Sequence, residues 1–516
     1  MITSTHFKCF LFLLLQATSI HSSPVIQAEH DFKVLLKDLS PSARSSVVYP
    51  TDAKWANATE RWTSIALPDL SMVITPTGVK DVERIVKYAH KHSFPIHTKT
   101  SGHGFVVSLR SIKKGIQLNL RPAFDFIKRI DKNTVEIGGG TKNEDITYWL
   151  YKNKVRTMTG SCGCVGWMGL ALGGGIGKYS GQFGLVTDVL REVNIVTPSA
   201  GKQVASAKRN PDLYWALKGA GHNFGVVTSA LVDLEPLNSD KSSPVADSND
   251  YSLYEYFFPV SRIEEIVSWF EAWRLKDEHK QAIVYLNVYN ANDKNAPVGA
   301  QNITQPTINL SMQYWGFRED VLEPPFDALK PLYVMRKKVP WPEVSKALGM
   351  DTASVPCLPN GMHIHRSHYP TQISRLDAAS IRKSYEWMAK KGWPWQNETN
   401  DRKAALAWKV FSKGKISSIG VDDTAIPWRD RSITTLASLA YAAGDPVLAQ
   451  KAKLLGEEIR AIMNVEKDLT VYINYAYGDE GEVASYGSGA RLSRLKGLKK
   501  KYDPKQIFSG FMPIKI

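Results

Sequence analysis

Ten glycines fall within the thirty residues TGSCGCVGWMGLALGGGIGKYSGQFGLVTD, positions 159–188, together with Cys162 and Cys164. Such a run is too rich in glycine for a stable helix and too apolar for a linker. It suits a backbone that must approach a large ligand closely and aim successive N–H groups at it, which is how a pyrophosphate is held without many cationic side chains. Two more glycine sites flank it, TKTSGHGF at 98–105 and DLYWALKGAGHNFGVVT at 212–228. None of the three matches GxGxxG between a strand and a helix, and none matches GxxxxGK(S/T), so an NAD-binding fold of that type is disfavoured.

The cysteines carry a second clue. Cys9 sits in an N-terminal leader, which leaves Cys162, Cys164 and Cys357. Three is odd, so at least one is free, paired between chains, or bonded to something other than sulfur. A mature chain of about 490 residues buries a large core without disulfide staples. In GMHIHRSHYP, His363, His365 and His368 could form a polar cluster, the first two on one face of an extended run. That run supplies no acidic partner, so a surface strand or loop is the blander reading and no metal site is assigned.

The elements that must position these residues divide the chain. Residues 1–23 combine Lys8, an apolar run from Cys9 to Leu15 and small polar residues up to Ser23, the order of a cleaved signal peptide. The apolar run falls far short of the roughly 20 residues of a membrane span. Sequons at Asn57, Asn302, Asn309 and Asn397 add an expectation of N-glycans, and so of a secretory, eukaryotic route. From Pro68 to Pro236 short strands (PIHTK, GIQLNL, TVEIGGG, EVNIVT) alternate with helices; in DVERIVKYAHKH, Val82, Ile85, Val86 and Ala89 share one face, with Asp81 at the start. After the polar linker NSDKSSPVADSND, aromatic strand-like runs and helical stretches fill 251–465, and the expected plan there is an antiparallel sheet backed by helices. The net charge of +15 is spread along the sequence rather than gathered in a stripe, which disfavours nucleic acid and leaves a solvated basic surface suited to acidic glycans or anionic substrates.

Several motifs recur in a fixed order: Trp62 and Pro76, Gly102-His103, C-x-x-V-G-x-x-G at Cys162–Gly169, GGG-I-G at Gly173–Gly177 and GL-x-x-D at Gly184–Asp188. They are followed by DL-x-WAL-x-GAGHNFG-x-VT at Asp212–Thr228, Y-x-NY at Tyr472–Tyr475, and KYDP-x-x-IF at Lys501–Phe508. In this the chain resembles the FAD-linked oxidases with a p-cresol methylhydroxylase type FAD domain, in the berberine bridge enzyme-like branch, and a fungal-type secreted member of it. The resemblance implies an α+β fold in which residues 24–240 (core 68–236) and 466–516 form a two-part FAD-binding domain around an inserted substrate domain, 250–465. It implies FAD bonded through its 8α-methyl carbon to His103 and through C6 to Cys162, two anchors that raise the flavin's potential while leaving the cleft open. Cys164 would then be a buried structural thiol, a disulfide to Cys162 being strained across one glycine.

Further cofactor contacts are implied at Lys99, Thr100, Ser101, Gly102, Gly104, Val165, Gly166, Gly169, Gly173, Gly174, Gly175, Gly177, Gly184, Leu185, Asp188, Gly225, Val227 and Asn474. Lys99 and Ser101 stand where an arginine and a glycine are common; lysine keeps the charge but loses the bidentate fork. Read as a returning strand, TVYINYAYG puts Tyr472 and Asn474 on one face and Tyr475 and Tyr477 on the other. Tyr472 is then the expected base, helped toward phenolate by Lys99 or an arginine of the central domain, with Tyr475 the alternative. Val165, small before the glycine, implies dioxygen as electron acceptor and hydrogen peroxide as product.

Two substrate classes follow from the resemblance: specialised metabolites undergoing oxidative tailoring or cyclisation, which are favoured, and mono- or oligosaccharides oxidised to lactones. Trp315, Phe317, Trp393 and Trp395 could stack on either, though core packing is the ordinary use of such residues. A catalytically silent, allergen-like binding protein on the same scaffold is the third reading, against which intact His103, Cys162 and Tyr472 argue.

Overall fold

The computed structural model describes residues 32–236, 250–276, 281–315, 326–354, 357, 364–399, 402–412 and 414–516. The expected leader, nearly all of the NSDKSSPVADSND linker, Phe317 and His363 lie outside the described residues.

Val82, Ile85, Val86 and Ala89 are all buried on the inner face of the helix Val79–His92, which ends where Ser93 turns into the left-handed region at φ 60°. The chain then enters Ile96–Lys99, a strand of a small parallel sheet ordered Leu70–Ile74, Gly115–Asn119, Ile96–Lys99. Residues 100–105, with His103, therefore leave the carboxyl end of a parallel strand, the edge at which open α/β sheets receive ligands. A five-stranded antiparallel sheet lies beside it, in the order Ile127–Asp131, Thr134–Gly138, Val226–Asp233, Leu190–Thr197, Gly201–Ser206. The glycine-rich run 159–188 enters this sheet at Leu190, broken only by the short helices Trp167–Leu172 and Ser180–Phe183 and a 3₁₀ turn, Val186–Val189.

The central region is a seven-stranded antiparallel sheet, ordered Tyr333–Pro340, Asp250–Pro259, Thr307–Trp315, Ala282–Tyr289, Lys403–Phe411, Ile433–Ala442, Ile364–Ile373. Period-two alternation gives it two unlike faces. Val284, Leu286, Leu406, Trp408 and Val410 point to a core shared with the helices Ile263–Arg274, Ala378–Trp387 and Pro446–Met463. The opposite face turns Ile283 and Phe411 onto Ile176, Leu185 and Tyr472 of the flanking regions. Trp315, Trp393 and Trp395 are buried in the cores, so none of the three offers a platform to a ligand.

The C-terminal segment closes on the GAGHNFG element. Lys499 and Asp503, four apart on and just past the last helix and fully buried, form an ion pair at 2.7 Å. The Lys499 ammonium also donates to the carbonyls of Asn223 and Phe508, while Asp503 accepts from the N–H groups of Ile507 and Phe508. Thus KYDPKQIF folds as a knot around one carboxylate. The segment TVYINYAYG is not a strand: Tyr475 N–H donates to the Tyr472 carbonyl and Ala476 N–H to that of Ile473, a turn that breaks the expected alternation and gathers Tyr472, Asn474 and Tyr475 together.

Asn57, Asn302 and Asn397 are exposed. Asn309 is not: it lies in mid-strand with no exposed surface and donates to Glu255 and to the Tyr256 carbonyl. A glycan there is incompatible with the fold, which corrects the expectation for that sequon. Enzymatic deglycosylation in heavy-oxygen water followed by peptide mapping is expected to label Asn57, Asn302 and Asn397 and never Asn309.

Candidate functional site

His103 stacks on Trp62 with ring centroids 4.6 Å apart, and Trp62 is also met by Phe105, by His368 and by Arg366, whose guanidinium lies 4.7 Å from the indole centroid. The His103 Nε2 atom is buried and has no hydrogen-bond partner among the described residues. Burial, reinforced by the charges of His368 and Arg366, holds its pKa down to about 3. The imidazole is therefore neutral at neutral pH, with a lone pair to offer an electrophilic carbon.

Cys162 is the free thiol of the trio; Cys164 is bonded to Cys357, which overturns its assignment as a structural thiol. The staple was unreadable because Cys357 lies 193 residues away in sequence. A ring nitrogen of His103 and the Cys162 sulfur lie within 4.8 Å of each other. The 8α-methyl and C6 of a flavin belong to the same edge of one ring, so nucleophiles this close suit two bonds to a single flavin. With Cys164 in a disulfide, the same trio offers a metal ion only two donors, short of a tetrahedral set. Burial pushes the Cys162 thiol up to about 11.

Around these two nucleophiles the other residues named from the sequence have the following surroundings. Ser101 Oγ accepts from Gly166 N–H, tying the 99–105 loop to the Cys162–Gly166 loop, and Thr100 Oγ1 donates to the Gly139 carbonyl. Gly102 has φ +74°, a turn in which a β-carbon would meet the Glu60 carbonyl. Gly104 lies against the Phe511 ring, and Gly169 faces open space beside His222, whose Nε2 is 3.0 Å from the Gly169 carbonyl. Lys99 directs its ammonium at the Ala58 carbonyl, away from the tyrosines, so the cation expected to favour a phenolate is not this one.

Gly173, Gly174, Gly175, Gly177, Gly184 and Gly225 are close-packed against the protein itself, for example Gly173 on Asn474 and Gly177 on the Thr159 carbonyl. Their missing side chains let the loop fold tightly on the protein itself. Asn474 uses its amide on the Leu170 carbonyl and the Tyr472 hydroxyl. Leu185 and Val227 are core residues, and Asp188 is held in a buried ion pair by Arg429. These residues shape the cradle from behind. Val165 is half-exposed, and its carbonyl accepts from the backbone and side-chain N–H groups of Asn143.

The two tyrosines have unlike surroundings. Tyr472 is fully buried, its hydroxyl accepting from Ile176 N–H at 3.2 Å and from Asn474 Nδ2 at 2.8 Å, and burial with Tyr475 alongside raises its pKa. Tyr475 is only half-buried, 5.0 Å from Tyr472 and 6.2 Å from His368 between ring centroids. Burial raises its pKa too, but the Lys409 ammonium opposes this by charge and by a hydrogen bond. Sheet register explains why Lys409 is there: it pairs directly with Tyr285, on the face that looks toward the glycine loop. Although burial works against its charge, Tyr285 and Tyr475 together raise the Lys409 pKa.

Sequence reasoning missed Lys409, Lys178 and Arg366, and set His368 aside as part of a surface strand or loop. Lys178 is buried, donates to Ser345, and is held down to about 7 by that burial. From Ile364 the run IHRSHYP lies in the sheet-edge strand Ile364–Ile373, in which Arg366 and His368 share the face of Lys409, and His365 the other. His368 meets Phe105 edge-on at 4.6 Å and Ser438 at 2.8 Å, so it stands within the site rather than on a bare surface. A lysine inside the apolar strand ALAWKVF was the one available signal.

Comparison with known proteins identifies the family and the fold. A family model described as FAD binding domain matches residues 70–207, and one described as berberine and berberine like matches 471–514. The chain is 30% identical over 531 residues to the FAD-linked oxidoreductase chry5 of Gibberella zeae, covering 99% of this chain and all of that protein. It is 30% identical to the FAD-linked oxidoreductase chyH of Penicillium rubens, covering 94% of this chain and 93% of that one. Among solved structures, a chitooligosaccharide oxidase superposes with a TM-score of 0.76 at 18% identity, covering 94% of this chain and 99% of the other. A glucooligosaccharide oxidase from Acremonium strictum, whose FAD is 6-S-cysteinyl and 8α-N1-histidyl, gives 0.76 at 16% identity with the same coverage.

Proposed function

Because the chain belongs to the berberine bridge enzyme-like family of FAD-linked oxidoreductases, we propose that it is a secreted oxidase of a small hydroxylated specialised metabolite. FAD is its cofactor, and when bound it would supply a hydride acceptor whose electrons dioxygen can take up as hydrogen peroxide. The observation that carries the reading is Tyr475, half-buried beside Lys409 and Tyr285 and near enough to Cys162 for the two groups to interact electrostatically.

Tyr475 takes the proton from the substrate hydroxyl as its carbon is oxidised. Lys409 stabilises the phenolate form of Tyr475 that accepts this proton, Tyr285 holds the ammonium, and the Tyr472–Asn474 pair fixes the turn on which Tyr475 stands. His103 and Cys162 hold the flavin, and a neutral imidazole suits the first bond. The metabolite class stays the favoured reading of the sequence; the burial of Trp315, Trp393 and Trp395 removes three stacking platforms that could have served either class.

Anaerobic bleaching of the flavin by a panel of benzylic and phenolic alcohols, polyketide-like alcohols and oligosaccharides tests the substrate. Bleaching by oligosaccharides alone would overturn the metabolite half; bleaching by no member of any class would overturn the enzyme's assignment to hydroxyl oxidation. In denaturant with reductant, FAD is expected to stay with the peptides containing His103 and Cys162, and its complete release would sink both bonds. Val165→Leu is expected to slow reoxidation by dioxygen while leaving reduction by substrate at its original rate, measured by stopped-flow absorbance.

A further inference from the structure

Three sulfur atoms meet where the glycine-rich loop touches the central region. Cys164 and Cys357 are bonded, and the Cys162 sulfur stands 3.4 Å from Cys164 Sγ and 3.3 Å from Cys357 Sγ. Gly163, between the two cysteines of the loop, is held on both sides: its N–H donates to the Met350 carbonyl and its carbonyl accepts from Glu144 N–H. Both neighbours are thereby presented to the same partner sulfur. A thiol in van der Waals contact with a disulfide is placed for exchange, the reaction in which a thiolate displaces one sulfur from the other.

We propose that Cys162 and Cys164 compete for Cys357, and that this pairing decides whether Cys162 is free to bond the flavin. The proposal rests on the reading of Cys162 as the C6 anchor. In the exchange Cys162 gives up its proton and its sulfur bonds to Cys357 Sγ as the Cys164–Cys357 bond breaks. Cys164 leaves as thiolate and takes up a proton. One disulfide and one thiol stand on each side, so no oxidant is consumed.

Two features hold the exchange back once the chain is folded. The near-equal distances put the thiol beside the disulfide rather than in line with it, so a side chain must rotate before attack. Burial also keeps Cys162 in its protonated form at neutral pH. Pairing is therefore settled during maturation, before the flavin occupies the site, and a thioether at Cys162 then removes the competing thiol for good. The third pairing, Cys162 with Cys164, would close a ring across a single glycine and is the strained one. Cys164 acts as a positioning residue: it does not bond the cofactor, yet by occupying Cys357 it keeps Cys162 available.

The test compares the secreted wild type with Cys164→Ser, Cys357→Ser and the double variant, by non-reducing peptide mapping after alkylation in acid and by the mass of the flavin-bearing peptides. The expected pattern is unusual. Cys164→Ser should carry a Cys162–Cys357 disulfide, made by the disulfide donors of the secretory route, with flavin on His103 alone. Cys357→Ser and the double variant should recover the flavin bond at Cys162. A Cys164→Ser protein with Cys357 free and Cys162 still flavin-bonded overturns the proposal. Loss of the Cys162 bond in all three variants also overturns it, because the disulfide would then be a simple brace. If Cys164→Ser is not secreted, wild type produced under riboflavin limitation serves instead: chains lacking the Cys162 bond should contain the Cys162–Cys357 isomer, and its absence overturns the competition. A wild type with no flavin on Cys162 under any condition would refute the anchor itself, whereas the disulfide map of Cys164→Ser still reports on exchange.

Discussion

Tyr475→Phe is expected to slow flavin reduction by substrate by about 10²–10⁴-fold, the usual contribution of a positioned general base, while the flavin remains attached. Phenylalanine keeps the ring that packs against Tyr472 and His368 and removes only the oxygen beside Lys409. Tyr472→Phe should behave differently. It strips the acceptor from Ile176 N–H and Asn474 Nδ2 in a fully buried place, which costs about 1–3 kcal/mol of stability and affects the rate less. Lys409→Met separates base from spectator by pH. A base must be deprotonated to act, and a cation favours the phenolate, so removing the ammonium raises the Tyr475 pKa further. The rising limb of the rate should move to higher pH, with the loss greatest at neutral pH and partly recovered in alkali. Should Tyr475→Phe reduce at the original rate while Tyr472→Phe does not, the roles of the two tyrosines are reversed.

The two proposed anchors could be picked out because each is local. His103 lies in a glycine-flanked turn after a strand, and Cys162 opens a short motif within a glycine run, so type and spacing carry most of the information. The α+β plan and the antiparallel central sheet followed from composition and period-two patterning in the same way. What could not be read was whatever depends on register between distant segments. Lys409 reaches the site only because it pairs with Tyr285, more than a hundred residues earlier, and His368 only because it stands opposite Ser438 on an edge strand. The turn at Tyr472–Tyr475 defeated the strand reading for a related reason: tertiary contacts to Ile176 and Leu170, not local propensity, determine where those side chains point. The glycines of GGG-I-G show the same limit, since close approach to a ligand and close approach to the chain itself demand the same residue.

Asp188→Asn separates a cofactor contact from a structural one, and the expected result is structural. Asp188 and Arg429 are 3% and 0% exposed, and the guanidinium holds both carboxylate oxygens, at 2.6 and 3.1 Å. The same carboxylate accepts from Leu185 N–H, and Gly184 leaves room for it, since a β-carbon there would collide with Asp188 Oδ2. Arg429 is fixed in turn by Thr424, so the pair joins the end of the glycine-rich run to the segment that leads into the strand Ile433–Ala442. Asparagine preserves shape and one acceptor but leaves the guanidinium buried without its counter-charge, a loss of about 3–5 kcal/mol for a broken buried pair. Replacing both partners by apolar residues of similar volume should return most of that stability, because no charge is then left buried alone. Guanidinium unfolding followed by tryptophan fluorescence, with flavin content measured on the same samples, reads both effects. A single variant that unfolds at much lower denaturant yet carries its full complement of flavin fits an ion pair that braces the cradle from behind. One that unfolds like the wild type but has lost its flavin would return Asp188 to the cofactor contacts that its motif implies.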